Sequence, residues 1–236
     1  MNFVVYKTNT LKAAKNRIEE LLKAVSRSDI DSPHIVIVPD RASLAAERSM
    51  LAAVGGSFNI QVFTFNRYAG LIAPETLKPL SGQMAVLEMM KVIEQNADRL
   101  VCFSGAGNTE GFARKIYDVI SLLKYNRISP EKLLCACDDK ALSLKLKDIA
   151  LVYSAFQASV ENRYLDSADK LETLLNAVGS SEQVKKSVYY IYDFDGLSVQ
   201  EEAIVESLVR YSRGVYAACA AGAGYMYSNC LLYTSD

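Results

Sequence analysis

The sequence predicts a parallel α/β fold whose sheet is interrupted by a long helical stretch. Three observations carry that expectation. Short apolar, β-branched runs alternate with helically spaced apolar residues over positions 1–72. One of those runs, Ile35-Val36-Ile37-Val38, has the unbroken apolar character of a strand covered on both faces. From Ser81 to Val178 no convincing strand occurs, and strand character returns at Val188.

In chain order, Phe3-Val4-Val5-Tyr6 is the first expected strand, followed by a helix on Leu11, Ala14, Ile18, Leu21, Leu22 and Val25. The second strand, Ile35–Val38, stops at Pro39-Asp40 and leads to a helix containing Leu44, Ala45, Met50 and Leu51. Gly55-Gly56 breaks the chain before a third strand, Ile60-Gln61-Val62-Phe63, and a short helix from about Asn66 to Ile72. Five helices are expected next. They are marked by Ser81–Glu94, by Phe112 to Leu123, by the opening Ser129-Pro130-Glu131, by Ile149-Val152-Phe156-Val160, and by Leu171-Leu174-Leu175-Val178. Val188–Tyr192 resumes the sheet, and Ser198-Val199-Gln200-Glu201 reads as a capping box opening a helix to about Tyr211. Gly214–Ala218 is a further strand. The expected division is therefore 1–78 and 181–220 for the α/β part, 79–180 for a helical insertion, and 221–236 for an irregular, non-native tail that leaves the chain truncated inside a fold.

The 236 residues hold 26 Lys+Arg against 27 Asp+Glu, a formal charge of -1, so a basic field over the whole surface is excluded while a local patch is not. His34 is the one histidine, which excludes any site needing two. The five cysteines form no C-x-x-C pair, and free thiols in a chain of this size point to a reducing, cytoplasmic setting. No stretch reaches the roughly 18 apolar residues of a membrane span, and no leader is recognised.

In an open parallel sheet, ligands bind beyond the carboxyl ends of the strands. A phosphate-binding loop after the first strand needs two glycines, a lysine and a hydroxyl. Tyr6 and Leu11 stand at the glycine positions, Ala13 at the hydroxyl, and only Lys12 matches. Gly105-Ala106-Gly107-Asn108-Thr109-Glu110-Gly111 has the wrong spacing for a dinucleotide fingerprint and reads as an interhelical loop. Asp193 and Asp195 end a strand where the magnesium-binding acid of an ATPase would lie, and a turn-forming pair is the plainer reading. Arg41 after the second strand, with Thr64, Asn66 and Arg67 after the third, would share one rim suited to the phosphates of a nucleic-acid backbone. His34 reads as a boundary residue. Six Lys/Arg against two Glu within residues 1–28 add weak support for an anionic partner.

Four segments in this order carry a family resemblance: Ile37-Val38-Pro39-Asp40 with Glu47 downstream, Val62 to Ile72, Tyr164-Leu165-Asp166-Ser167-Ala168-Asp169, and Phe194 to Glu201. Together they make the chain, to about residue 220, similar to the N-terminal region of AddB/RexB, the B subunit of the bacterial ATP-dependent helicase–nuclease. The resemblance implies a RecA-like, P-loop-helicase-like domain with decayed motifs. Lys12, Asp193 and Asp195 would then be a vestigial nucleotide site, and Arg41, Thr64, Asn66 and Arg67 would face DNA. It also implies an AddA/RexA-like partner, the other helicase–nuclease subunit, and a role in resecting double-strand breaks. No catalytic residue or cofactor is expected in this chain, ATP, magnesium and an iron–sulfur cluster belonging elsewhere in the complex. Two rival expectations are an active P-loop-type ATPase and a scaffold that binds only protein.

Overall fold

The computed structural model describes residues 3–73, 77–106, 109–135 and 139–220. The expected tail at 221–236, Cys137 and the Gly107-Asn108 part of the glycine-rich loop lie outside them. Two compact units emerge, one within Met1–Pro74 and Lys170–Asp236 and the other within Glu75–Asp169.

The first unit is built on a five-stranded sheet. Its strands are β1 (Phe3–Thr8), β2 (His34–Ile37), β3 (Ile60–Phe63), then β6 (Val188–Tyr192) and β7 (Gly214–Ala220), ordered β1-β7-β6-β2-β3 with every neighbouring pair parallel. All five strands expected from the sequence are present. The arrangement is an α/β fold compatible with a RecA-like one. Because every strand runs the same way, all five carboxyl ends lie along one rim.

β2 and β6 are buried along their whole length, as their apolar runs require. The even-numbered face (Val36, Val38, Val188, Tyr190, Tyr192) packs against α1 (Leu11–Ser28) through Ala14, Ile18 and Leu22, and against α2 (Ser43–Val54) through Ala46 and Met50. Complete burial of one such aliphatic side chain contributes about 1.5–3 kcal/mol, so the three α1 contacts outweigh any cap. On the odd-numbered face, Tyr189 meets Tyr68 of α3 (Phe65–Ile72), edge to face with hydroxyls hydrogen-bonded.

Local signals set the helix ends. Thr10 Oγ1 accepts the Ala13 N–H (3.1 Å) to cap α1, and α2 stops at Gly55, whose φ of +75° suits a residue without Cβ. The capping box at Ser198 and Glu201 forms with both reciprocal bonds and opens α10 (Val199–Tyr211).

The second unit is mostly helical. It contains α4 (Gly82–Gln95), α5 (Glu110–Tyr125), α6 (Pro130–Leu134) and α7 (Lys140–Val160). α4, α5 and α7 share a core of Ala85, Met89, Ile93, Ile116, Ile120, Val152, Phe156 and Val160. One strand pair contradicts the reading of an all-helical stretch: β4 (Lys78–Pro79) pairs in parallel with β5 (Tyr164–Leu165). A two-residue strand shows no periodicity, so only the pairing of distant segments reveals it. The helix on Leu171–Val178 is α8 (Ser167–Val178), which begins in this unit, and a short α9 (Glu182–Lys186) precedes β6. Among the described residues, no helix is long and apolar enough to cross a membrane.

Candidate functional site

The carboxyl rim of the sheet collects the residues singled out from the sequence. β1 continues to Thr8 and α1 starts at Leu11, so just Asn9 and Thr10 connect them. Thr8 Oγ1 donates to the Thr10 carbonyl (2.9 Å) and also contacts the Cys219 carbonyl at 3.1 Å, closing the turn onto β7. Lys12 follows in the first turn of α1, exposed. A phosphate-cradling loop needs several backbone N–H groups turned inward. This turn instead gives the Ala13 N–H to the Thr10 hydroxyl.

Asp193 and Asp195 follow β6. One strand, β7, separates β6 from β1, a displacement of about 10 Å at ordinary strand spacing, so Lys12 and the acids leave the sheet two strands apart. Asp193 has φ +68°, a left-handed conformation that Asp tolerates better than most residues. Between the two acids Phe194 turns inward, buried, and packs on Phe65 at 5.6 Å between ring centroids. That contact ties the loop after β6 to the start of α3 and turns both carboxylates outward.

Arg41 belongs to the single 3₁₀ turn Asp40–Ala42 that follows β2. β2 and β6 are neighbours, and the guanidinium closes the gap between their ends. Its Nη2 donates to the Asp193 carbonyl (2.6 Å) and to Asp195 Oδ2 (2.8 Å), while Nη1 lies 3.3 Å from Asp193 Oδ2. The cluster is open to solvent: the Arg41 side chain is 49% exposed and that of Asp195 77%. The DNA-facing arginine and the vestigial magnesium acids, two separate expectations from the sequence, are one ion cluster.

Arg67 is held in the same fashion. Its Nη1 donates to Glu47 Oε1 (2.8 Å) and Ser43 Oγ (3.2 Å), both on α2, and its guanidinium lies 5.8 Å from the Phe63 ring centroid. Thr64 is buried and caps α3, its hydroxyl oxygen accepting the Arg67 N–H at 3.4 Å. Asn66 Oδ1 is buried with no hydrogen-bond partner among the described residues. The rim thus presents two solvent-exposed arginines, each held by carboxylates, on a framework fixed by Phe65, Phe194 and Thr64.

Other sequence candidates fall elsewhere. His34 lies at a strand boundary, as the first residue of β2, and is buried there, with Nδ1 3.1 Å from the Tyr190 hydroxyl and Nε2 3.1 Å from the Asp29 carbonyl. Burial pushes its pKa down, against the pull of Asp29. In the glycine-rich region, Leu100–Phe103 is no strand, and the N–H groups of Val101, Cys102 and Phe103 all donate to the buried Asp148 carboxylate at 2.7–3.1 Å. An internal carboxylate fills the anion nest that a pyrophosphate would need.

The sequence reading missed one cluster altogether. In the second unit, Lys124 Nζ donates to Asp166 Oδ2 and Asp169 Oδ1, both at 2.6 Å. Burial pulls the Lys124 pKa down, but the two carboxylates outweigh it and the net shift is upward. Asp169 is also pushed up, by burial first and then by Asp166. Lys124 falls four residues after Ile120 and eight after Ile116 on the apolar face of α5, and a lysine in that register was the available signal.

The sequence pattern described as AddB, N-terminal, matches residues 12–227. The chain belongs to the AddB N-terminal family. Among curated AddB-family relatives, the B subunit of the ATP-dependent helicase/deoxyribonuclease of Clostridium botulinum (strain Langeland) is 30% identical over 208 residues, covering 84% of this chain and 17% of its own length. The protein of the same name from Staphylococcus saprophyticus is 27% identical over 225 residues, covering 91% and 19%. That from Clostridium kluyveri is 28% identical over 208 residues, covering 84% and 17%. This AddB-family chain therefore spans under a fifth of the length of these relatives. Its family membership, like the resemblance first drawn from four segments, extends over nearly the whole sequence.

Proposed function

We propose that this chain is the N-terminal, helicase-like part of the B subunit of a helicase/deoxyribonuclease, and that it guides a DNA strand without hydrolysing ATP itself. On this reading a RecA-like domain carries a helical subdomain inserted near residues 79–180. Its partner is an AddA/RexA-like helicase–nuclease subunit, with which it resects double-strand breaks. ATP, magnesium and iron–sulfur chemistry lie elsewhere in that complex.

The observation that carries the reading is the place of Arg41. A magnesium ion on Asp193 or Asp195 would need six oxygen ligands at about 2.1 Å, and a guanidinium already lies against both acids. The two-residue connection Asn9-Thr10 supports the same reading, because it leaves no loop to wrap a triphosphate. What remains at the rim is arginine chemistry, suited to backbone phosphates.

Calorimetric titration of the full-length protein with Mg-ATP tests the ATP-silent part, with a melting curve to verify folding. No binding heat is expected, and Lys12→Ala leaves the titration unchanged. Tight binding that Lys12→Ala abolishes would establish an active nucleotide site instead.

A further inference from the structure

The rim arginines are both charged and exposed, yet neither is free. We propose that the carboxylates of Asp193 and Asp195 act as a built-in competitor for DNA phosphate at Arg41, lowering the affinity of the rim for single-stranded DNA. The inference rests on the DNA-guiding reading and adds a regulatory contact to that same site.

The geometry carries it in three steps. First, Asp193 Oδ2 and Asp195 Oδ2 offer Arg41 two anionic oxygens from different side chains, at 3.3 and 2.8 Å. Two oxygens of one phosphate would offer the same fork-shaped guanidinium an equivalent pair. Second, the guanidinium does not depend on those charges for its direction, since Nη2 also donates to the Asp193 carbonyl at 2.6 Å. Neutralising the acids leaves the arginine aimed and without a counter-charge. Third, the contact is exchangeable. Arg41 and Asp195 are both well exposed, and ion pairs of that kind are weak and salt-sensitive.

Arg67 repeats the device on the neighbouring strand end, with Glu47 as its carboxylate. Two arginines from adjacent elements, each given its own acid, would keep the rim from binding every polyanion while letting a strand threaded along it displace the acids. The charge count agrees. Arg41 with Asp193 and Asp195 carries net -1 and Arg67 with Glu47 is neutral, so neither arginine cluster offers phosphate a net positive charge until its acids are displaced.

The test uses the assembled helicase–nuclease complex and a fluorescent oligodeoxythymidylate, with affinity measured by anisotropy over a range of salt. Asp193→Asn with Asp195→Asn keeps the side-chain shapes, and Asn accepts the left-handed φ at 193. The double variant is expected to bind about fivefold tighter, the equivalent of one exposed ion pair released. Its log–log salt slope is expected to steepen by about 0.7, one further phosphate neutralised on a single strand. Adding Arg41→Ala to the double variant is expected to abolish both changes. An unchanged affinity in the double variant overturns the proposal. So does a gain that survives Arg41→Ala, because it would reflect lost repulsion alone.

A separate arm reports on the underlying reading. Arg41→Ala with Arg67→Ala, leaving the acids intact, is expected to weaken binding and flatten the salt slope. If it does so while the Asn variants change nothing, DNA guidance stands and the competitor fails. If it changes neither quantity, DNA guidance at this rim fails as well.

Discussion

Two clusters in this molecule have the same composition, one cation between two carboxylates, and opposite surroundings. Arg41 with Asp193 and Asp195 lies open on the rim of the sheet. Lys124 with Asp166 and Asp169 lies within the helical unit, where the Lys124 side chain is 8% exposed and that of Asp166 4%. Solvent makes the difference between them. In water the attraction between charges is weak and any partner can be replaced by water, salt or another anion. In the interior a partner cannot be replaced, because an unpaired buried charge costs several kcal/mol. The rim cluster is consequently suited to exchange and the buried one to fastening. Asp166 shows the fastening directly, since its Oδ1 accepts the Asp169 N–H (2.8 Å) at the start of α8 while its Oδ2 holds Lys124 on α5.

Lys124→Ala is the largest expected break in that comparison. It leaves the buried Asp166 carboxylate without its lysine partner and is expected to cost about 3–5 kcal/mol, the usual penalty for removing one partner of a buried pair. Chemical denaturation of the protein, followed through the helical unit, would measure it. A loss below about 1 kcal/mol would mean that the buried cluster behaves like an exposed one.

A finer contrast lies between the two acids on Lys124. The Asp169 pKa is raised in the folded state above its unfolded value, by burial and by Asp166. A group raised in this way contributes stability that is complete below the unfolded value of 3.8 and is lost as pH rises through the folded pKa. At neutral pH its ionised form is thus a small burden, and Asp169→Asn is expected to change stability by less than about 1 kcal/mol. Asp166→Asn weakens a fully buried charge pair and is expected to cost about 1–3 kcal/mol. Acidification from neutrality toward 3.8 should shift the difference between wild type and Asp169→Asn in favour of wild type. A difference that stays constant with pH, or moves the other way, would show that Asp169 does not carry the excess negative charge.

The clusters also mark how far the sequence was legible. Local chemistry was readable: the β-branched and aromatic runs at Ile35–Val38 and Val188–Tyr192 mark the buried strands His34–Ile37 and Val188–Tyr192, and Ser198 caps with Glu201 three residues on. The candidate residues of the rim were readable too, since any parallel sheet gathers its carboxyl ends on one side. Their mutual pairing was not. Arg41 and Asp193 are 152 positions apart, and only the strand order, with β2 beside β6, brings them together. Asp148 and the three N–H groups that it accepts were hidden for the same reason, as was the two-residue pairing of β4 with β5. A lysine in register with Ile116 and Ile120 was visible, but a single charge on an apolar face does not say which acid waits opposite.

The smallest expected effect is on the rim, and it decides whether the comparison holds. Arg41→Ala removes three polar contacts, yet each partner is open to water. The Asp193 carbonyl and both carboxylates can be rehydrated, so no buried group is orphaned. The expected loss is about 0–1 kcal/mol at low salt, shrinking further at about 1 M salt where the Debye length falls to about 3 Å. Matched denaturation curves for wild type and Arg41→Ala at the two salt concentrations would measure it. A loss above about 2 kcal/mol, insensitive to salt, would make Arg41 a structural fastener like Lys124. An arginine so needed by the fold could not leave its acids for a phosphate, and the competitor proposal would fall with it. A small, salt-dependent loss leaves Arg41 free to change partners, which guiding a DNA strand along this rim requires.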